Sequence, residues 1–396
     1  MLTGKKIILG ITGSIAAYKT AFLVRSLVKS GAEVRVIATR SALDFVTPLT
    51  LSTLSNNPVY SEYLKNEQGE WVNHVEMGLW ADLLVIAPAT ANTLSKMAHG
   101  QCDNLLMAVY LSARCEVMFA PAMDLDMYQH PTTQQNISKL IDFGNQLIKP
   151  GTGPLASGLS GEGRMAEPED IQAQIEAYFK AKLPLTGKKV VMTAGPTYEA
   201  IDPVRFIGNR STGKMGYALA AELAALGASV KLISGPSALA CPEGVHRQMV
   251  ESAEDMYAAT LAVFAVADLA IFTAAVADFK PAQSAAQKIK KDGQSLAIEL
   301  VPTQDILAEA GKRKQAGQLL VGFALETNNE LENAQSKLKR KNADLIVLNS
   351  LQEAGAGFGH DTNSVTLISA AEQIKLPLAS KQEIARQIVQ YLINRL

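Results

Sequence analysis

Eight residues, GNRSTGKM at 208 to 215, set Gly208, Gly213 and Lys214 in the spacing of a phosphate loop, GxxxxGK[ST]. Met215 stands where a hydroxyl would hold Mg²⁺. A second Gly-rich stretch, GITGSIAAYK at 10 to 19, offers Gly10, Gly13 and Ser14 at a strand-to-helix turn. Free backbone N–H groups and the helix dipole favour a phosphate there. The stretch is not GxGxxG, so a mononucleotide suits it at least as well as a dinucleotide. The loops PATANT (88 to 93) and PAMDLDMY (121 to 128) each follow an apolar run. Their prolines fix the exit from a strand, and their small residues let a ligand approach the backbone. His74, in WVNHVEMGLWAD, is the histidine nearest these loops in the chain and the candidate general base, although a lone His is also common as a surface or cap residue. The runs KIKK and KLKRK read by themselves as solvated charged faces.

The elements that must position these residues announce themselves by repetition. GKKIILGITG at 4 to 13 reappears as GKKVVMTAGP at 187 to 196, and each copy leads toward an Ala/Leu-rich helix and a second strand. Strand, Gly-rich turn, helix, Gly stop and strand form the opening of a parallel α/β sheet. Near-continuous apolar runs at 83 to 88, 116 to 121, 268 to 275, 319 to 324 and 344 to 349 suit strands buried on both faces. The chain of 396 residues exceeds what one core serves. The expected class is therefore α/β, with two doubly wound parallel-sheet domains at 1–183 and 187–396. The join falls where the amphipathic stretch AEPEDIQAQIEAYFKAK meets Leu183-Pro184-Leu185.

Balanced charge, 37 Lys+Arg against 38 Asp+Glu, removes the electrostatic reason to expect nucleic acid or a membrane surface as a partner. Small solutes are expected instead. Cys102, Cys115 and Cys241 are odd in number and lack CxxC spacing, which argues against a disulfide framework or structural zinc and fits a cytoplasmic protein. The N-terminal segment does not read as a signal peptide, and no apolar run reaches membrane-spanning length. A true P-loop follows its strand at once, whereas GPTYEAIDPVRFI separates the strand KKVVMTA from GNRSTGKM. The NTPase reading of that loop fails on context.

GSIAAYK, His74, PATANT, PAMDLDMY and GLSGEGRM together resemble the homo-oligomeric flavin-containing cysteine decarboxylases, and in particular phosphopantothenoylcysteine decarboxylase domains. The likeness spans residues 1 to about 180 and implies a flavodoxin-like domain that binds FMN. The family's loops read PASANT and PXMNXXMW. The resemblance implies that Gly13, Ser14, Thr39, Ala89, Asn92 and Met123 hold the flavin, that Asn92 and Asp124 contact the substrate, and that His74 is the base. An N-acyl cysteine has no electron sink for its carboxylate, so oxidation to a thioaldehyde must precede loss of CO₂, and the reduced flavin then returns its hydride. Two positions depart from the family. Asp124 occupies the Asn position of the second loop, and Ser157 occupies the flap position of a proton-donating Cys. Ser157 is expected to relay a proton.

TAGPTYEAIDPVRFIGNRSTGKMG resembles phosphopantothenate–cysteine ligase domains, and the likeness covers about 188 to 396. It implies a Rossmann-like domain that couples 4′-phosphopantothenate to cysteine through an acyl cytidylate, with CTP as co-substrate. Asn209 is then the residue that holds the acyl cytidylate, and the N–H groups of Ser211 to Gly213 bind substrate phosphate. Asp278, Lys288, Thr303, Gln304, Asp305, Ile306, Phe323, Lys337 and Lys341 become the substrate and nucleotide contacts, with Asp278 facing Mg²⁺ or a nucleotide hydroxyl. Trimers around the flavin site and dimers of ligase domains are further implications. Two rival readings are a non-catalytic FMN-binding regulator, against which His74 argues, and an NAD(P)-dependent dehydrogenase, against which the missing GxGxxG argues.

Overall fold

The computed structural model of the chain describes residues 2–64, 70–291, 296–326, 328–350 and 360–396. It divides into two compact units, Met1–Ala181 and Lys182–Leu396.

In the first unit, six strands form one sheet: β1 (Lys6–Ile11), β2 (Glu33–Ala38), β3 (Val59–Tyr60), β4 (Leu83–Ala89), β5 (Glu116–Pro121) and β6 (Gln146–Leu147). All pairings are parallel, in the order β3-β2-β1-β4-β5-β6. This is the 3-2-1-4-5-6 arrangement of doubly wound sheets, not the 2-1-3-4-5 order of flavodoxin itself, and its switch point lies between β1 and β4. Alternation along β1 sends Ile7, Leu9 and Ile11 into the core beneath the helices Thr20–Lys29 and Pro168–Ala181, and Ile8 into the opposite core. Gly10 lets helix Leu105–Ser112 approach that second face, since a Cβ there would lie 2.6 Å from Leu106 Cδ1. A hairpin of β7 (Gly151–Pro154) and β8 (Ser160–Arg164) stands apart from the sheet.

The second unit opens with β9 (Lys189–Ala194), followed by a small hairpin, β10 (Tyr198–Ala200) and β11 (Phe206–Gly208). Its main sheet adds β12 (Ser229–Ser234), β13 (Val245–Met249) and β14 (Leu269–Phe272). After a second hairpin, β15 (Phe279–Pro281) with β16 (Leu300–Pro302), come β17 (Leu319–Glu326), β18 (Leu345–Ser350), β19 (Thr362–Ile368) and β20 (Gln373–Ser380). The order is β13-β12-β9-β14-β17-β18-β19-β20. Parallel pairing runs from β13 to β18, and an antiparallel hairpin, β19–β20, extends that edge. A tight turn makes the reversal, with the Ser369 N–H donating to the Glu372 carbonyl at 3.0 Å. Among the described residues, no helix is long and apolar enough to cross a membrane.

Helix Lys214–Ala225 packs directly on β9, and on Thr273 just beyond β14, through Gly216. A Cβ at Gly216 would lie 2.6 Å from the Ala194 Cβ and closer still to Thr273 Oγ1. Gly216→Ala is therefore expected to destabilise the second unit by about 1–3 kcal/mol through overpacking. Chemical denaturation of the full chain checks this, and a midpoint equal to that of the parent would show that the interface yields freely.

Candidate active sites

In the first unit the loops leaving β1, β4 and β5 are laced together at the sheet's carboxyl edge. Thr12 Oγ1 donates to the Pro88 carbonyl at 2.7 Å and accepts from the Thr90 N–H at 3.1 Å. The Ala122 N–H donates to the Ala89 carbonyl at 3.1 Å, and the Met123 N–H donates to Gly163 of the β7–β8 hairpin at 3.0 Å. Gly163 has φ +136°, and a Cβ there would collide with the Met123 carbonyl oxygen, so only glycine seats this flap so closely.

Between the turn after β1 and the flap lies a cleft of about 580 Å³, lined by Ser14, Ile15, Tyr18, Lys19, Met123, Asp124, Leu155 and Ser157 among others. Ser14 accepts from the Ala16 N–H at 3.3 Å and so caps a single turn of 3₁₀-helix, Ile15–Lys19. Lys19 is 5% exposed. Its Nζ donates to Glu167 Oε1 at 2.8 Å and to the Met165 carbonyl at 3.2 Å. Arg164 shares the same Glu167 oxygen at 3.1 Å. The Lys19 ammonium holds the Glu167 carboxyl below the usual range. Two cations against one carboxylate leave this cluster positive. A half-apolar cleft with a cationic margin fits a planar aromatic cofactor with an anionic tail.

Asp124 and Ser157 meet in this cleft. Ser157 Oγ donates to Asp124 Oδ1 at 3.0 Å, and the same oxygen accepts the Leu125 N–H at 2.7 Å. Of the residues expected at the flavin, Ser14 and Met123 line the cleft, whereas Gly13, Thr39, Ala89 and Asn92 do not. Gly13 borders it in sequence and lets the loop after β2 approach, a Cβ there falling 2.5 Å from the Ser41 Cβ. Thr39 directly follows β2 and donates its N–H to the Ile11 carbonyl at 2.9 Å. Ala89 is buried at the end of β4, and Asn92 is exposed in the first turn of helix Ala91–His99.

His74 also lies outside the cleft lining. It opens helix His74–Trp80, capped by Asn73, whose Oδ1 accepts from the Val75 and Glu76 N–H groups. Its ring meets Tyr63 edge to face at 6.2 Å between centroids and tilts toward Trp71 at 6.1 Å. His74 Nδ1 is buried with no hydrogen-bond partner among the described residues. A buried polar atom left in this way is costly unless a bound group completes it.

In the second unit the β10–β11 hairpin separates β9 from GNRSTGKM. Met215 packs against the core cluster under helix Lys214–Ala225, which accounts for an apolar residue at that position. A cleft of about 360 Å³ is lined by Asn209, Ser211, Gly213, Lys214, Asn363 and Lys381, among others. A neighbouring one of about 280 Å³ is lined by Asp278, Thr303, Gln304, Asp305, Ile306 and Lys337. Phe323, Ala274 and Ala275 border both.

Asn209 Nδ2 donates to the Val276 carbonyl at 2.9 Å. Thr303 is fixed by its N–H to the Asp278 carbonyl at 2.9 Å and by its hydroxyl to the Ala277 carbonyl at 2.6 Å. Lys337 Nζ donates to the Phe323 carbonyl at 3.0 Å, and Lys341 pairs with Asp305. Burial raises the Asp305 carboxyl, but its bonds from Lys341 and the Ala308 N–H outweigh this and leave it below the usual range. Lys288 is exposed and lines neither cleft. No group of three or more His, Cys, Asp or Glu side chains among the described residues is arranged to hold a metal ion.

Sequence reading assigned no role to Lys19, Lys381, Asn349 or Asn363, all of which line these clefts. Burial lowers the Lys381 ammonium, and the nearby Lys214 lowers it further. Lys19 reaches partners 146 and 148 residues away and Lys381 one 21 residues away, so spacing carried no signal for them.

The second unit also holds a buried clasp. Asp202 accepts from the Val204 and Arg205 N–H groups, from Arg205 Nε at 2.9 Å and from the Ile289 N–H at 3.1 Å. Arg205 Nη2 returns a bond to the Ile289 carbonyl at 2.7 Å. Ile289 is thereby fixed between Lys288 and Lys290. The Arg205 guanidinium, helped by these N–H groups, holds the Asp202 carboxyl far below the usual range. A depressed folded pKa stabilises the fold above the unfolded carboxyl value of about 4 and loses that contribution as pH falls through the folded value. Asp202→Asn is expected to lower the unfolding midpoint at pH 7 and to flatten its decline on acidification below about pH 4. Parallel pH profiles for both chains would contradict the assignment.

Two doubly wound α/β domains follow one another, and the first carries a cleft between the turn after β1, the loop after β5 and the flap. Family models agree: "Flavoprotein" matches residues 1–180 and "DNA/pantothenate metabolism flavoprotein C-terminal domain" matches 185–396. The coenzyme A biosynthesis bifunctional protein CoaBC of Bacillus subtilis (strain 168) is 46% identical, covering 98% of this chain and 97% of its own. A cysteine/cysteine sulfinic acid decarboxylase from an unknown prokaryotic organism is 52% identical over 88% of this chain and 99% of its own. The crystal structure of a CoaBC C-terminal domain is 44% identical and covers 54% of this chain and 97% of its own, with a TM-score of 0.47. The chain belongs to the CoaBC family of bifunctional coenzyme A biosynthesis proteins.

Proposed function

We propose that the second domain ligates 4′-phosphopantothenate to cysteine at the expense of CTP with Mg²⁺, and that the first decarboxylates the product with FMN to give 4′-phosphopantetheine. The observation that carries this reading is likeness across almost the whole of both chains to a bifunctional CoaBC protein. The two adjoining clefts of the second domain support an acyl transfer. Asp278, Thr303, Lys337 and Lys341 would hold CTP and its Mg²⁺, with Phe323 packing on the base. Asn209 would hold the acyl cytidylate in the adjoining cleft while the cysteine amine displaces CMP, and the N–H groups of Ser211 to Gly213 would bind phosphate.

In the first domain, Ser14, Lys19 and Met123 fit the FMN, and Gly13, Thr39, Ala89 and Asn92 belong to the loops around them. Bound FMN would supply a reversible two-electron oxidation of the substrate's CH₂–SH group. The chain's residues orient the carboxylate, exclude water beneath the flap and move protons. His74 is the base we assign to the oxidation. Its position outside the Asp124–Ser157 cleft of its own chain, together with exposed Ile15, Tyr18 and Phe22, supports a site completed between copies in a trimer-based homo-oligomer. We place this chemistry in the cytoplasm, with small molecules as the only substrates.

A second reading is decarboxylation of free cysteine or cysteine sulfinic acid, favoured by the 52% identity to a relative so described. One experiment separates the two. Purified protein receives phosphopantothenate, cysteine, CTP and Mg²⁺, and products are followed by mass. The proposal expects a CTP-dependent amide and then its decarboxylated thiol. CO₂ released from free cysteine without CTP, and no amide, would replace it with the second reading.

A further inference from the structure

The larger cleft of the second unit is lined by three cations, Arg210, Lys214 and Lys381, and by no carboxylate among the described residues. Two of its walls come from separate parts of the chain. One is the first turn of helix Lys214–Ala225, whose cap residue, Gly213, has no side chain to engage the N–H groups that a helix start leaves without partners. The other is Lys381, the first residue of helix Lys381–Ile393, where the helix dipole opposes a cation. Lys381 is nonetheless only 9% exposed, and its Nζ donates to the His360 carbonyl at 2.5 Å. Burial and the neighbouring Lys214 both lower this ammonium, and Asp361 offsets them only in part. The Asp361 side chain is itself mostly in solvent and pairs with Lys214 at 2.6 Å. A buried lysine at the unfavourable end of a dipole costs stability, and a bound anion relieves that cost. Asn349 Oδ1, in the same lining, is buried with no hydrogen-bond partner among the described residues. A ligand with an O–H or N–H donor beside an anionic group therefore suits the cleft.

We propose that Lys381 is a substrate-binding residue of the ligase cleft, where its ammonium and the N–H groups at the start of helix Lys214–Ala225 together seat a phosphate group carried by a substrate. This deepens the ligase reading of the second domain and rests on it. A phosphate suits the cleft better than a carboxylate, because its charge is larger and its several oxygens reach backbone N–H groups and an ammonium at once. Two substrates of the proposed reaction carry phosphate. 4′-Phosphopantothenate holds one at the end remote from its carboxylate, together with a hydroxyl and an amide N–H that can meet Asn349 Oδ1. CTP holds a chain of three. In the first case Lys381 selects the phosphorylated acid over pantothenate, and in the second it sets the affinity for the nucleotide.

The test uses the full chain with CTP, Mg²⁺ and cysteine, and follows amide formation from 4′-phosphopantothenate and from pantothenate in the parent, Lys381→Gln and Lys381→Arg. Glutamine keeps an N–H donor and loses the charge, whereas arginine keeps the charge. In Lys381→Gln, kcat/KM for 4′-phosphopantothenate is expected to fall by at least about tenfold, carried by KM, while the value for pantothenate stays within about twofold. Lys381→Arg is expected to recover part of the loss. That split assigns the seat to the phosphate of the acid. A rise of at least about tenfold in KM for CTP, with both acids affected alike, assigns it instead to the nucleotide. Lys381→Met, close to lysine in volume and tolerant of burial, gives the same comparison if the glutamine chain does not fold. KM values for both phosphorylated substrates within about twofold of the parent, or an equal loss toward both acids with KM for CTP unmoved, overturn the role of Lys381. A rise confined to KM for cysteine overturns it as well. A parent chain that forms no amide from 4′-phosphopantothenate overturns the ligase reading itself, and the seat with it.

Discussion

His74→Asn is expected to cut CO₂ release by about 10²–10⁴-fold while leaving flavin absorbance and CTP-dependent ligation intact. The effect is large because, on the proposed mechanism, His74 is the base and only that group is removed. Asparagine keeps a polar side chain at the start of a helix whose cap, Asn73, makes its own bonds, so the local fold survives. The ring's neighbours, Tyr63 and Trp71, remain in place, and the ligase clefts belong to the other unit. Stopped-flow measurement of flavin reduction beside a ligation assay separates the outcomes. Unchanged CO₂ release would remove His74 from the mechanism. Because His74 does not line the cleft that holds Ser157, co-assembly of His74→Asn chains with Ser157→Ala chains offers a sharper test: sites shared between copies recover part of the lost rate, and self-contained sites recover none.

Asn209→Asp is expected to lower amide formation by about 10²–10³-fold while pyrophosphate release continues. In the parent, Asn209 Nδ2 donates to the Val276 carbonyl at 2.9 Å, which aims the remaining amide atoms at the cleft. An aspartate places a carboxylate oxygen against that carbonyl oxygen with no hydrogen between them, so the side chain turns away. Its negative charge also opposes an anionic acyl cytidylate. The nucleotide-side residues Asp278, Thr303 and Lys337 line the neighbouring cleft and are untouched. A quenched reaction should therefore show acyl cytidylate, or phosphopantothenate and CMP from its hydrolysis, in excess over amide. Amide formation at the parent rate would dismiss the role of Asn209.

Much of the architecture was legible because local pattern determines it. The echo of GKKIILGITG in GKKVVMTAGP marks β1 and β9, and the short apolar runs fall on β4, β5, β14, β17 and β18. The hairpins were harder. β10 and β11 are three residues each, too short for periodicity to show, and β7–β8 is written in Gly, Ser and Glu with little apolar alternation. The reversal at β19–β20 depends on a turn without a strong glycine signal. The sites divide in the same way. Asn209 and Thr303, named through the family resemblance, each line one of the second unit's two clefts. The Lys19–Glu167 pair, 148 residues apart, and the Asp202–Ile289 bond, 87 apart, arise only when the chain folds back on itself. Lys288 shows the converse: a family motif named it, yet its side chain is exposed and what positions its backbone is the buried carboxylate of Asp202.

The seat of the flap on the 121–128 loop has a consequence for timing. Its backbone bond runs from the Met123 N–H to the Gly163 carbonyl, at a spot where contact is too close for any side chain. Lifting the flap exposes that amide to solvent. Deuterium uptake at Met123 would then act as a clock for each opening, so the residence time of a molecule sealed beneath the flap could be read from one backbone proton.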